Sequence, residues 1–101
     1  MLLADVPEKY EFRCRDGNIL INIRDLRDAL LTMTDEDFSY HSNSQKQGFS
    51  NWVKDVIKDD KLAADLAKSV SRRQAAKKAA DRIAYLSSKL DDGNLSGGAG
   101  I

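Results

Sequence analysis

One histidine and one cysteine are all this 101-residue chain offers as groups that titrate near neutrality or attack as soft nucleophiles. His41 follows Tyr40 and stands two residues before Asn43, in the polar run 41–48. A general base or a metal ligand on a loop is the chemistry such a neighbourhood offers. Cys14 lies far from it in sequence, and no zinc-ligand spacing joins the two. A lone histidine without a partnered nucleophile or an orienting carboxylate reads as a hydrogen-bonding anchor of its loop. His41 and Asn43 are therefore kept as functional-loop candidates, and an enzyme built around His41, Tyr40 and Asn43 ranks third among the function classes. Cys14 sits between Arg13 and Arg15, which would lower a thiol pKa. Its alternation with Phe12 predicts instead a buried thiol acting as a small hydrophobe.

The acidic groups read in the same way. Asp35, Glu36 and Asp37 form a trio that suits a hard cation by ligand type, but the calcium-loop spacing and its turn glycine are missing. Placed after Thr34, the trio complements the positive end of a helix dipole. Asp55, Asp59 and Asp60 read as solvent-facing or capping acids. The Asp-Gly and Gly-Gly pairs match neither phosphate-loop nor dinucleotide-binding spacing. No catalytic set, cofactor, metal or small-molecule substrate is expected.

Charge is the more informative pattern. Sixteen basic and sixteen acidic residues cancel over the chain, yet residues 1–60 carry eight Lys/Arg against twelve Asp/Glu, and residues 61–101 eight against four. Between Lys68 and Leu90 stand seven cations and one acid, with Arg73, Lys77, Lys78, Arg82 and Lys89 on the arc opposite an alanine stripe. A basic helix face contacts phosphates, meets an acidic protein surface, or is simply solvated. The nucleic-acid alternative assigns Arg72, Arg73, Lys77, Lys78 and Arg82 to phosphates. The opposite signs of the two halves favour association, with a second copy or with another protein.

These residues need elements to hold them. Tyr10–Cys14 alternates, Asp16-Gly17 supplies a turn and Ile19–Ile21 follows, which predicts a β-hairpin over about 10–21. Such a hairpin is marginal alone and has to lie on helices or pair with another chain. From Asn22 the period changes to helical: Ile23, Leu26, Leu30 and Met33 share a stripe, capped by Asn22, over about 23–33. Thr34 caps a short helix through Phe38 and Tyr40, and 41–48 reads as a loop. Phe49, Trp52, Val53, Val56 and Ile57 define an amphipathic helix. Asp59-Asp60 breaks it and caps a helix carrying Leu62 and Leu66. Ser71 with Gln74 three residues on forms a capping box, and Val70 with Ala75 a hydrophobic staple. The helix it opens is the longest, about 72–90, with Ala76, Ala79, Ala80, Ile83, Leu86 and Leu90 inward. Asp91–Asn94 is expected to end it, and 91–101 reads as a flexible Gly-rich tail.

The order Phe38-x-x-His41-x-Asn43, then Phe49-x-x-Trp52-Val53-x-Asp55-Val56, then Asp60-x-Leu62-Ala63 resembles a small prokaryotic, largely archaeal domain family of unknown function. Asp16-Gly17, Asn22, Leu26, Ala29-Leu30, Met33 and Asp35-Glu36 extend the similarity, which spans about 10–68. Where that family has Asn-Asp before the phenylalanine, this chain has Gln47-Gly48, so no aspartate role carries over there. The resemblance implies a helical domain and brings no activity with it.

The sequence thus predicts one mostly α domain over 1–90, four to five helices behind a short β-hairpin, at a size that holds one core. A single cysteine excludes an intrachain disulfide framework, and no apolar run approaches the roughly 20 residues of a membrane span. A cytoplasmic, non-enzymatic interaction or regulatory module, open to self-association, is the leading expectation.

Overall fold

A computed structural model describes residues 2–43 and 45–98, with side chains of the last helix described up to residue 89. A 3₁₀ turn, Glu8–Tyr10, leads into β1 (Phe12–Arg13), which pairs antiparallel with β2 (Ile19–Leu20). The turn closes where Gly17 N–H donates to Cys14 O at 3.0 Å. Gly17 adopts φ +96°, open to glycine at little cost. Five helices follow: α1 (Ile23–Thr32), α2 (Asp35–His41), α3 (Gly48–Trp52), α4 (Asp60–Lys68) and α5 (Arg72–Gly98). The mostly α fold behind a hairpin is the one the sequence predicts.

Local rules account for most helix starts. Asn22 Oδ1 accepts from Asp25 N–H at 2.7 Å, and Asp25 answers by accepting from Ile21 N–H at 3.2 Å. Thr34 caps α2 through Asp37 N–H, Asp59 caps α4 through Leu62 N–H, and Ser71 caps α5 through Gln74 N–H. Each such cap contributes about 1 kcal/mol. Buried faces match the sequence stripes: Ile23, Leu26 and Leu30 of α1 meet Ala75, Ala76, Ala79 and Ile83 of α5 in the core. Alanine lets the two helices approach closely, and α5 also packs on α4.

Four local expectations change. Residues 41–48 are not an open loop: α2 runs to His41, and β3 (Ser42–Asn43) pairs with β4 (Lys46–Gln47) in a second small hairpin. Gly48 then starts α3 so close to α2 that a Cβ there would stand 2.6 Å from His41 O. Beyond Trp52 the α3 turn widens into a π-helical segment, Val53–Ile57, closed by Lys58 at φ 72°. Val53 O accepts both Lys58 N–H and Asp59 N–H, satisfying the helix end. The staple of Val70 with Ala75 does not form, because Ala75 is turned into the core while Val70 is 91% exposed. Gln74 Oε1 takes the Val70 N–H at 2.9 Å in its place. Finally, the backbone of α5 stays helical through Asp91–Asn94, since one glycine in a propagating helix costs only about 1 kcal/mol. Residues 99–101 of the expected tail lie outside the described residues, and no described helix is long and apolar enough to cross a membrane.

Candidate functional site

His41 is 6% exposed at the C-terminus of α2, not displayed on a loop. Its ring packs edge-on against Phe12 and Tyr40, with Phe49 at 5.3 Å between centroids. Nε2 accepts the backbone N–H of Arg15 at 2.9 Å, which requires that nitrogen to be unprotonated. Burial, aided by nearby Lys46, pushes the imidazole below its ordinary value of 6.5. The histidine thus anchors the β1–β2 turn to α2 as a neutral acceptor. Trp52 Nε1 repeats the arrangement, donating to Tyr10 O at 2.7 Å. Together they tie the hairpin to the helices that its marginal stability needs.

Cys14 is buried, and its thiol is pushed up to about 11, first by burial and then by Asp16 and Asp37. The flanking arginines do not activate it. Arg15 turns toward Asp37 and Glu36 at 3.7 and 3.9 Å and stacks over the Tyr40 ring. Asp35, the first of the acidic trio, accepts from Arg72 Nε at 2.8 Å. The trio's neighbours are arginines, as helix-end acids paired by cations would have.

The basic helix is placed differently from its sequence pattern. Arg72 donates to Asp35 and also to Leu30 O at 2.7 Å, fastening the start of α5 to α1 and α2. Lys77 pairs with Asp81 one turn on. Arg82 turns inward, with Nε 2.8 Å from Asp59 Oδ2, and Asp59 is 1% exposed. So Asp59 is a capping acid and also a buried ion-pair partner, and Arg82 lies off the solvated face that the spacing put it on. Arg73 is exposed, while Lys78 lines a shallow groove between α4 and α5 with Lys61, Asp65 and Tyr85. Of the cations on this helix, Arg72, Lys77 and Arg82 are engaged in intramolecular ion pairs.

A cleft of about 780 Å³ lies between α2 and the start of α5. Phe38, Ser39, Ser42 and Asn43 form one wall, and Ser69, Val70, Ser71 and Arg73 the other. Asn43 is occupied internally: its amide donates to Ser39 O and its carbonyl accepts from Gln45 N–H. It shapes the cleft, and His41 stays behind the wall. Sequence reasoning singled out Asn43 and Arg73 separately, but not the cleft that brings them together. Val70 gave no signal of it, because its spacing to Ala75 assigned it to a staple; its exposure follows only from Ala75 being taken into the core.

Compared with protein-family models, curated proteins and solved structures, the chain matches none of them.

Proposed function

We propose that this protein is a non-enzymatic interaction module that holds a protein partner in the cleft between α2 and the start of α5. The observation that carries the reading is Val70, a large aliphatic side chain left 91% exposed beside that cleft, with the cation Arg73 next to it. Protein contact sites join an apolar centre to a polar rim, and the cleft supplies Val70 with Ser69, Ser71 and Arg73 around it. His41 and Cys14, the groups able to do chemistry, are spent on packing and on one hydrogen bond to the backbone.

Affinity capture together with light scattering tests this. The wild type is expected to hold a protein partner, its own copies included, that Val70→Glu/Arg73→Glu releases while the circular dichroism and Tm stay unchanged. A strict monomer at high concentration that captures nothing overturns the reading. So does salt-sensitive binding of labelled duplex DNA lost in Lys77→Glu/Lys78→Glu, which would move the function to the basic helix.

A further inference from the structure

The β1–β2 turn, residues 14–18, is closed on itself. Cys14 N–H donates to Asn18 O at 2.8 Å, Gly17 N–H returns to Cys14 O at 3.0 Å, and Asp16 accepts both the backbone and the side-chain amide of Asn18. Its ladder to the rest of the hairpin is two residue pairs long. Among the described residues, a single hydrogen bond runs from this turn to a helix, Arg15 N–H to His41 Nε2 at 2.9 Å. The Arg15 side chain adds loose contacts to Asp37 and Glu36 at 3.7 and 3.9 Å. Cys14 is buried under the turn, whereas residues 15–18 are exposed.

That bond exists in one protonation state only. An imidazole nitrogen accepts an N–H while it is unprotonated, and with a proton it becomes a donor aimed at a donor. The ring is enclosed by Phe12, Tyr40 and Phe49, which deny an imidazolium its water. Charges face it from three elements: Arg15 and Asp16 from the turn, Asp37 from α2 beside the Tyr40 phenol, and Lys46 from β4, while β1 and α3 present the Phe12 and Phe49 rings. Two cations stand against two carboxylates, so burial decides, and it resists the proton.

We propose that His41 is an acid-operated latch: a proton taken at Nε2 releases the 14–18 turn from α2 and uncovers Cys14, while the helices stay packed. Trp52 Nε1 on Tyr10 O and Val6 N–H on Ile21 O, each at 2.7 Å, keep the base of the hairpin in place, so the turn lifts as a flap. The latch is separate from the cleft, and its failure would leave the interaction-module reading standing.

The test is the rate at which a pyridyl disulfide labels Cys14 in the full chain, taken as a ratio to the urea-unfolded chain at the same pH so that the titration of the exposed thiol cancels. An opened turn returns the imidazole to its ordinary 6.5, so between pH 7.5 and 5 the ratio can rise by at most about thirtyfold. A rise of about tenfold is expected, with the helical circular dichroism unchanged. His41→Gln, uncharged at every pH, is expected to give a ratio that does not change with pH. Lys46→Gln, at an exposed position, removes a cation that opposes the proton in the closed state and is expected to shrink the rise. A constant ratio in the wild type overturns the proposal, as does a rise that His41→Gln shares. A rise that keeps step with loss of the helical signal also overturns it, because that is global unfolding. Should His41→Gln not fold, a rise of full size in Lys46→Gln overturns it equally.

Discussion

Asp59 holds two elements with its two oxygens: Oδ1 accepts Leu62 N–H at 3.1 Å to start α4, and Oδ2 accepts Arg82 Nε at 2.8 Å from α5. The carboxylate is shut away from water, and the guanidinium lies over the Tyr85 ring at 5.3 Å. Removing one partner leaves the other charged and buried, which is the costly case.

Arg82→Ala is therefore expected to destabilise the fold by about 3–5 kcal/mol. Replacing both partners by apolar residues, Asp59→Leu/Arg82→Met, is expected to cost less than the sum of the two single changes, although the α4 cap is lost with it. Urea denaturation of the four proteins gives the coupling energy. Additive single effects would show that the pair is not coupled.

His41 gives stability a pH dependence of known sign. Its pKa is depressed in the folded chain, so between that value and the unfolded value of 6.5 only the unfolded chain takes up the proton. The contribution is complete above about pH 6.5 and is lost as pH falls through the folded value. His41→Phe is expected to be less stable at pH 7.5 by about 1–3 kcal/mol, because Arg15 N–H loses its acceptor. Its stability should also fall less between pH 7.5 and 5. Urea midpoints at the two pH values check both.

Gly48 is the only residue type that fits where α3 begins against α2. Gly48→Ala puts a Cβ 2.6 Å from the His41 carbonyl oxygen, and backbone on both sides has to move. A loss of about 1–3 kcal/mol, the range of overpacking, is expected in thermal unfolding. A Tm equal to that of the wild type would show that the α2–α3 connection yields freely.

Cys14 is expected to be inert in the native state. With its thiol at about 11 and its side chain buried, alkylation at pH 8 should be slow and should rise sharply once denaturant opens the hairpin. Rapid labelling without denaturant, followed by mass spectrometry, would contradict the packing of β1 on the helices.

The fold was legible in the sequence where its causes are local. Asn22, Thr34, Asp59 and Ser71 cap helices because a short polar side chain meets an N–H within three residues of itself. The stripes of Ile23, Leu26 and Leu30, and of Ala76, Ala79 and Ile83, declare their buried faces by period alone. The sequence also marked His41 as a hydrogen-bonding anchor and Cys14 as a buried thiol, without saying what His41 anchors. That partner, Arg15, is brought to it only when the hairpin lies down on α2.

Tertiary structure decided everything that depends on which elements become neighbours. Helical spacing put Arg82 on the basic arc with Lys77 and Lys78, but packing of α5 beside the α3–α4 junction turned it inward to Asp59. Val70 was expected to staple α5, but the core took Ala75 and left Val70 outside at the cleft. The physical reason is one of range. Caps and periodicity are fixed by residues within a turn of each other, whereas ion pairs, cleft walls and exposed apolar contacts are fixed by the docking of whole helices.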